Sequence, residues 1–382
     1  LLMIPGPIEF EPAVLAAMAE PTESHFSPEF SSRFSQSLEM LKEIFVAPHG
    51  QPFVVAGSGT LAMDMAAANL VESGEKALVV SAGYFGDRFV QIFQRYGAEV
   101  THLTCPPGEA PPLEQVEGYL RQSSYKVMTV THVDTSSGVR ADVQEYCRLA
   151  RQYGALTIVD GVAAAAAERM DQEPWGVDVY LTGSQKAIGV PPGLALLVAG
   201  PQAMAAFRAR KTPAPNYYAD FASWIPVMEA YQAGKAAYFG TPAVNLINAL
   251  EVSLKMILEE GLENRFARHA RIGRAFRAGM AGLGLKILPT SEAQAANTLT
   301  AVYYPEGADS SMLAEIKKQG ILLATGIIPA IRERYFRVGH MGSVKAGDVL
   351  ATIGAIEAGL KSAGVKFEPG AGLAAAQHVL LS

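Results

Sequence analysis

Short apolar runs alternate with stretches of helical periodicity over the first half of the chain. The runs that predict strands span residues 51–56, 76–81, 125–131, 156–160 and 177–182. Stretches in which apolar residues recur with the helical repeat span 61–71, 85–96 and 143–153. Strands that alternate with helices predict an α/β fold with a mostly parallel sheet, and ligands of such sheets bind at the carboxyl ends of the strands.

The pattern changes at about residue 245. A long helical stretch runs to about residue 277, followed by predicted strands at 298–304 and 335–340 and by helices near 311–319 and 347–362, the last of them the final helix. A chain of 382 residues exceeds the usual size of one hydrophobic core. We therefore predict an N-terminal arm (1–15), a large domain (16–258) and a smaller C-terminal α+β domain (259–382) attached by a long helix.

Composition narrows the possible function classes. Hydrophobic residues make up 49% of the chain and charged residues 18%, which is typical of a soluble globular enzyme. The formal charge is −6 without a dense basic run, so we expect no nucleic-acid partner. The longest apolar run, 187–200, contains Pro191 and Pro192 and is too short to cross a bilayer, so it predicts buried core and no membrane partner.

The two cysteines, Cys105 and Cys147, predict neither a disulfide framework nor a metal site, because no second pair has metal-ligand spacing. The same holds for the histidines, of which no pair has ligand spacing. The ends of the sequence carry no recognisable targeting signal. A cytoplasmic location is therefore the default expectation, with peroxisome and mitochondrion left open.

A glycine-rich turn follows the first predicted strand. In Ala56-Gly57-Ser58-Gly59-Thr60, backbone N–H groups and two hydroxyls come directly before a helix, and a helix N-terminus attracts phosphate. The turn lacks the Gly-Lys-Ser/Thr of a nucleotide P-loop and the three-glycine spacing of a dinucleotide site. Taken alone, it fits a plain turn and helix cap equally well.

Two charged residues follow apolar strands further along the chain. Asp160 ends one strand, and a buried carboxylate needs a cation or donors, such as the protonated nitrogen of a pyridine ring. Lys186 lies in an uncharged, glycine-rich stretch, where desolvation lowers the pKa of an amine and prepares it for imine formation. The alternatives are a helix-capping Asp160 and an exposed Lys186. Phosphate, ring nitrogen and aldehyde are parts of one cofactor, so the three signals together favour a cofactor site.

An arginine alternates with apolar residues in the strand predicted at 335–340. Because a guanidinium binds a carboxylate bidentately, Arg337 is a candidate ligand for a substrate carboxylate. An outward-facing strand arginine is the alternative.

The segments around these residues resemble the class V, fold-type I aminotransferases. Within that family they are most similar to the alanine:glyoxylate (serine:pyruvate) aminotransferases, particularly the fungal type. The resemblance extends over essentially the whole chain. It rests on the segments Ile4-Pro5-Gly6-Pro7, His25-Phe26-Ser27-Pro28-Glu29-Phe30, Ala56-Gly57-Ser58-Gly59-Thr60, Thr131-His132-Val133-Asp134-Thr135-Ser136-Ser137, Ser184-Gln185-Lys186-Ala187 and Tyr335-Phe336-Arg337-Val338-Gly339-His340-Met341-Gly342.

The resemblance implies a pyridoxal 5'-phosphate enzyme with a seven-stranded sheet, working as a homodimer. Lys186 would form the Schiff base with the cofactor and then act as the base, and Asp160 would bind the ring nitrogen. Phe85 would stack on the ring, and Ser136 would hydrogen-bond near the ring hydroxyl. The implied phosphate ligands are Ser58, Gly59, Thr60 and Gln185, with Tyr238 and Thr241 from the neighbouring subunit. Gly6 and Arg337 would contact the substrate.

Two positions depart from many members of the family: Phe85 replaces a tryptophan and Thr60 replaces a histidine. Both replacements retain an aromatic face and a phosphate donor. The expected function is ping-pong transamination from a small L-amino acid, alanine or serine, to glyoxylate. The alternatives are a serine or ureidoglycine donor, a lyase or desulfurase of the same fold, and a non-catalytic phosphate- or nucleotide-binding protein. A desulfurase needs a catalytic cysteine near the small domain, where neither cysteine is expected.

Overall fold

A sheet of seven strands lies at the centre of the computed structural model, which describes all 382 residues. The first nine strands in chain order are β1 (Gln51–Ala56), β2 (Lys76–Val80), β3 (Glu99–Leu103), β4 (Val127–Thr131), β5 (Val133–Asp134), β6 (Val139–Arg140), β7 (Leu156–Asp160), β8 (Val179–Gly183) and β9 (Leu194–Ala199). β5 and β6 form a separate hairpin, and the other seven pair in the spatial order β1-β9-β8-β7-β4-β2-β3. Only β9 runs antiparallel to its neighbours, which confirms the predicted mostly parallel sheet.

Helices that pack against this sheet precede residue 261. They are α1 (Pro12–Met18), α2 (Pro28–Phe45), α3 (Gly59–Leu70), α4 (Tyr84–Arg95), α5 (Leu113–Gln122), α6 (Val143–Gln152), α7 (Pro201–Arg208), α8 (Phe221–Gln232) and α9 (Val244–Glu260). Local sequence explains where they begin: at α2, the Ser27 hydroxyl accepts a hydrogen bond from the N–H of Phe30 at 3.1 Å, and Pro28 occupies the first turn. Sheet and helices share one hydrophobic core.

A second, smaller core surrounds an antiparallel sheet near the C-terminus. Its strands are β10 (Leu299–Tyr303), β11 (Ala324–Thr325) and β12 (Tyr335–Gly339), with β12 in the middle. Its helices are α10 (Leu262–Gly282), α11 (Met312–Lys318), α12 (Ala346–Ser362) and α13 (Ala371–Leu381). The sequence prediction missed α13, since it took the helix near 347–362 as the last.

The predicted single long helix from about residue 245 to 277 is wrong. Gly261 separates α9 from α10 with a φ of +80°, a conformation that glycine adopts without steric cost and that ends a helix. Apolar residues of α9 belong to the large core, whereas those of α10 belong to the small one. The break lies beside the predicted domain boundary at 258/259, which itself stays a prediction.

The carboxyl ends of β1, β7 and β8 meet at one edge of the large sheet. Asp160 pairs with Leu181 of β8, and the last residues of β1 and β8 both pair with the start of β9. The N-terminal arm is attached to the small sheet, because the N–H of Met3 donates to the carbonyl of Leu322 at 2.9 Å and the carbonyl of Met3 accepts from Gly339 at 2.8 Å. No helix combines the length and apolar character that crossing a membrane requires.

Candidate active site

A cavity of about 230 Å³ lies at this sheet edge and collects most of the predicted site residues. Those that line it are Ser58, Gly59, Thr60, Phe85, Asp160, Gln185 and Lys186. Two other cavities, of about 220 and 800 Å³, contain none of the predicted residues. Neither cysteine lines the 230 Å³ cavity.

The N-terminus of α3 forms one end of the cavity. Its first N–H groups, those of Gly59, Thr60 and Leu61, have no acceptor in the chain, and the Ser58 hydroxyl does not cap them. A Cβ atom on Gly59 would lie 2.6 Å from a methyl group of Val162, so only glycine allows the helix to begin this close to the segment after β7. The first turn of α3 therefore presents unpaired donors to the cavity.

Lys186 lies at the opposite side of the site, three residues after β8. Its side chain is almost fully enclosed, and Nζ donates to the carbonyl oxygen of Pro5. A Cβ atom on Gly6 would lie 2.7 Å from Nζ, and the φ of +117° at Gly6 also favours glycine. The pKa of the Lys186 amine is lowered to about 8, chiefly by burial and also by the positive charge of Arg337, while Asp160 opposes the shift.

Asp160 lies at the end of β7 with only 3% of its surface exposed. One carboxylate oxygen accepts a hydrogen bond from the N–H of Val162 at 2.8 Å. Burial raises the pKa of Asp160 to about 7, against the effect of the Val162 N–H, and the nearby carboxyl of Asp134 adds to the rise. The site thus holds a carboxyl group that requires a positive partner in order to ionise easily.

Phe85 belongs to the first turn of α4, and a buried carboxylate holds that turn in place. Asp134 Oδ2 accepts from the N–H groups of Phe85 and Gly86, at 3.0 and 3.1 Å, and Oδ1 accepts from the N–H and hydroxyl of Ser136, at 2.9 and 2.6 Å. Nothing in the sequence reasoning singled out Asp134. A strand-end aspartate before a helix-capping serine is the signal that was available.

Ser136 is not among the residues that line the cavity, and its predicted role beside a ring hydroxyl stays a prediction. Its hydroxyl donates to Asp134 and accepts from the N–H of Tyr84 at 3.0 Å, so it belongs to the support of α4. The preceding residue, Thr135, lines the cavity instead, and its hydroxyl makes no hydrogen bond within the chain. The loop geometry therefore offers Thr135 in place of Ser136.

Arg337 lies in the middle of β12, opposite Ala301 and Ala324, and is 9% exposed. Its Nε donates to the carbonyl of Thr325 at 2.9 Å and its Nη1 to that of Thr135 at 3.1 Å. Nη2 has no partner in the chain. The guanidinium is therefore held rigidly near Lys186 with donor capacity to spare.

Arg88 is a cavity residue that the sequence reasoning missed. It lies one turn after Phe85 on α4, with its guanidinium 4.8 Å from the centre of the Phe85 ring, and it donates to the Thr60 hydroxyl at 3.1 Å. An arginine four residues into a helix looks like an ordinary surface residue, so nothing in the sequence pattern marked it as a cavity residue. In the fold it links the first turns of α3 and α4.

Tyr238 and Thr241 do not reach the cavity of their own chain. They lie in the connection between α8 and α9, and 62% of Tyr238 is exposed. Their predicted role needs a second subunit, and it remains a prediction.

The residues present fit a phosphorylated pyridine aldehyde. The unpaired N–H groups at the open N-terminus of α3 suit a phosphate group, and Gln185 lines the same cavity. Asp160 suits a protonated ring nitrogen, and the Lys186 amine, with its lowered pKa, suits an aldehyde. The three groups border one cavity.

The comparisons with known proteins agree with this geometry. The aminotransferase class-V family model matches residues 14–347. Alanine–glyoxylate aminotransferase 1 of Saccharomyces cerevisiae is 40% identical over 89% of this chain and 91% of its own length, and L-aspartate–glyoxylate aminotransferase of Paracoccus denitrificans is 32% identical over 99% and 95%. The crystal structure of ureidoglycine-glyoxylate aminotransferase from Bacillus subtilis has a TM-score of 0.92 at 28% identity, covering 100% of this chain and 98% of that one. The chain therefore belongs to the class-V aminotransferases, enzymes of fold type I that depend on pyridoxal phosphate.

Proposed function

We propose that this enzyme transfers the amino group of a small L-amino acid, L-alanine in the first place, to glyoxylate. The observation that carries the proposal is the convergence of Lys186, Asp160 and the open end of α3 on one cavity, with Gly6 directly beside Lys186. The names of the relatives support glyoxylate as the common acceptor.

Five segments of the chain would hold pyridoxal phosphate. Lys186 would hold the aldehyde carbon, Asp160 the ring nitrogen, Phe85 one face of the ring and Thr135 the edge near the ring hydroxyl. The phosphate ligands would be Ser58, Gly59, Thr60 and Gln185. When bound, the cofactor supplies an electron sink that allows a proton to leave the α-carbon of the amino acid.

Lys186 would carry that proton. Because burial lowers the pKa of its amine to about 8, a useful fraction of the side chain is neutral at neutral to mildly alkaline pH and can accept a proton. Arg337 would bind the substrate carboxylate through Nη2 and the remaining hydrogen on Nη1, while its bonds to Thr135 and Thr325 fix its orientation.

The close contact between Gly6 and Lys186 favours a compact amino-group acceptor. The Lys186 amine fills the space where a Cβ of residue 6 would lie, so the arm closes tightly over the site and leaves little room around the reacting carbon. Glyoxylate carries no side chain. Donors that differ by one hydroxyl are poorly discriminated in an apolar pocket, so L-serine is the second donor, with ureidoglycine and L-aspartate as further candidates suggested by the relatives.

The first test is an absorption spectrum of the purified enzyme loaded with pyridoxal phosphate. We expect the visible band to fade with L-alanine and to return with glyoxylate, which separates the two halves of a ping-pong reaction. Parallel additions of L-serine, L-aspartate and ureidoglycine rank the donors. A band that no amino acid changes, or one that pyruvate restores and glyoxylate does not, would contradict the proposal.

We also infer that the enzyme works as a homodimer. Aromatic rings form a surface patch in which Phe26, Tyr217 and Tyr238 are exposed and His25 and Phe239 are partly buried. The patch adjoins the start of the glycine turn, because Tyr218 donates to the carbonyl of Ala56 at 3.1 Å. A second copy of the chain covering this patch would bury the rings and bring Tyr238 and Thr241 to the partner's phosphate site.

Mixing two inactive variants tests this arrangement. Lys186→Ala removes the base, and Tyr238→Ala combined with Thr241→Ala removes the residues offered to the partner. Co-expressed chains that assort randomly should recover about one quarter of wild-type activity, because one site of each mixed dimer is intact. No recovery, with mixed dimers demonstrated by differential tags, would place Tyr238 and Thr241 at the site of their own chain or at neither.

A further inference from the structure

A cluster of charged side chains lies where α9 meets α10. Its members are Glu260, Arg265, Arg268 and His269, and we call it the Glu260 cluster. It lies outside the cavity that holds Lys186 and Asp160. Glu260 is the last residue of α9, and the other three occupy the first turns of α10, on either side of the break at Gly261.

One arm of the cluster reaches the lysine segment. Arg265, only 7% exposed, donates from Nη1 to Glu260 at 2.8 Å. Its Nη2 donates to the carbonyl of Ala187 at 2.8 Å, and its Nε to that of Ala166 at 2.7 Å. Ala187 directly follows Lys186 in the sequence. The guanidinium therefore fixes the backbone that carries Lys186.

The other arm reaches the segment that follows β12. Arg268 binds Glu260 through Nε at 2.6 Å and Nη2 at 3.0 Å, and its Nη1 donates to the carbonyl of Gly342 at 2.8 Å. His269 Nε2 accepts from the N–H of Gly342 at 3.0 Å. Both polar groups of Gly342 are thus held, three residues after the strand that contains Arg337.

A single carboxylate consequently connects the two arms. Replacing a buried ion cluster by packed apolar side chains of similar volume is often neutral or stabilising, so stability alone does not require these charges. The charged side chains instead supply directional hydrogen bonds, because each guanidinium N–H fixes the position of a particular carbonyl group. The carbonyls specified here belong to the segments next to Lys186 and next to the Arg337 strand.

We propose that the Glu260 cluster sets the position of Lys186 relative to Arg337, and so the distance from the reacting carbon to the bound carboxylate. Its members are positioning residues and touch neither cofactor nor substrate. The inference rests on the proposed function, in which Lys186 acts on the α-carbon while Arg337 binds the carboxylate of the same substrate. An error of about 1 Å in such an alignment can cost up to about 100-fold in rate.

The test separates the two arms by comparing L-alanine with ethylamine, which lacks the carboxylate. Arg268→Met releases the carbonyl of Gly342 but leaves its N–H bonded to His269 and Arg265 bound to Glu260. We expect it to lower kcat/KM for L-alanine by about 10- to 100-fold in the single-turnover half-reaction, with ethylamine unchanged within about threefold. Arg268→Lys, which can restore one of the bonds, should recover part of the loss.

Arg265→Met should behave differently, because it frees the lysine segment. It should weaken cofactor binding, measured as the dissociation constant of pyridoxal phosphate, and lower the rates with L-alanine and ethylamine alike. If Arg265→Met does not fold, Arg265→Lys replaces it as the milder change, since it leaves Arg268 bound to Glu260. Hydrogen exchange of the cofactor-free protein gives a readout independent of activity: protection should fall at 186–189 in Arg265→Met and at 340–344 in Arg268→Met.

Glu292→Gln is the matched control. Its carboxylate accepts hydrogen bonds from an arginine of the same helix, Arg277, but neither residue hydrogen-bonds to the 186–189 or 340–344 segment. The ratio of kcat/KM for L-alanine to kcat/KM for ethylamine should be the same in Glu292→Gln as in the wild type. Equal losses with L-alanine and ethylamine in Arg268→Met, or unchanged exchange at 340–344, would overturn the positioning role. A wild-type protein that reacts with no amino acid would contradict the proposed function instead.

Discussion

Two helices, α3 and α4, begin at the same edge of the large sheet, yet the chain treats their N-termini in opposite ways. At α4, the N–H groups of Tyr84, Phe85 and Gly86 are all bonded, the first to Ser136 and the other two to Asp134. At α3, the corresponding N–H groups have no acceptor within the chain. The first end is closed by an internal anion, whereas the second is open to the cavity.

The difference identifies the part of this edge that serves a ligand. Unbonded N–H groups at a helix terminus favour an anion, and the partial positive charge of the helix adds to that preference. The chain is able to supply such an anion from its own side chains, because Asp134 does so at α4. Leaving α3 open therefore fits a site for an external phosphate, and four changes test or refine that contrast.

The largest effect should come from closing the open end. Ser58→Asp places a carboxylate at the N-cap of α3, where it can accept the free N–H groups as Asp134 does at α4. We expect the cofactor-free protein to gain about 1 kcal/mol in free energy of unfolding. The affinity for pyridoxal phosphate should fall by about 10³-fold, because two anions would compete for one set of donors. Denaturant unfolding and cofactor titration measure the two effects.

Ser58→Ala is the control for this change, since it removes the hydroxyl without adding charge. It should weaken cofactor binding by only about tenfold. If Ser58→Asp binds the cofactor as tightly as Ser58→Ala does, the open end of α3 is not the phosphate site.

The second effect comes from opening the closed end. Asp134→Ala leaves two helix N–H groups and the hydroxyl of Ser136 without their buried acceptor. The free energy of unfolding should fall by about 3 kcal/mol. Asp142→Ala offers a comparison, because Asp142 caps the exposed start of α6 with one bond to Glu145, and its loss should cost about 1 kcal/mol. Equal losses for the two variants would mean that Asp134 contributes only as a cap.

The features around the two helix ends differ in whether they could be predicted from the sequence. The strands that precede Asp160 and Lys186 could be predicted from the sequence. Each is a run of apolar residues, which indicates a buried strand, and a charged residue ends the run or follows it closely. The glycine turn before α3 was likewise visible. The positions of these residues on one edge follow from the parallel sheet.

Other features depended on backbone geometry that periodicity does not encode. Thr135 and Ser136 are adjacent hydroxyl residues, and only the turn after β5 decides that Thr135 faces the cavity while Ser136 supports α4. Arg88 gains its place from the way α3 and α4 converge. The preference of glycine for helix C-termini could have predicted the end of α9 at Gly261. The apolar repeat continues across Gly261, however, and so predicted one uninterrupted helix.

A second carboxylate at this edge extends the comparison. Asp160 accepts one backbone N–H, whereas Asp134 accepts three N–H groups and a hydroxyl. Burial raises the pKa of Asp160 to about 7. The folded cofactor-free protein therefore binds a proton that the unfolded chain loses above its ordinary pKa of 3.8, so stability falls as the pH rises from about 4 to about 7 and stays low above that.

Asp160→Asn should remove this pH dependence from the cofactor-free protein. Near pH 4 the variant and the wild type should unfold at similar denaturant concentrations, whereas at pH 8 the variant should be more stable by about 2 kcal/mol. Transamination should be lost, because the amide cannot hold a proton on the ring nitrogen. Equal stability at both pH values would show that another group compensates the Asp160 charge.

We expect the smallest effect from changes to Phe85, the side chain that the first turn of α4 places in the cavity. Asp134 fixes the turn that carries Phe85, whose ring lines the cavity with the Arg88 guanidinium 4.8 Å from its centre. Phe85→Trp retains an aromatic face on that support, so the dissociation constant of pyridoxal phosphate should change by no more than about threefold. Phe85→Ala should raise it by about tenfold, the loss of one stacking contact. If both variants bind alike, the ring contributes shape and not stacking, and the closed end of α4 then matters for the fold alone.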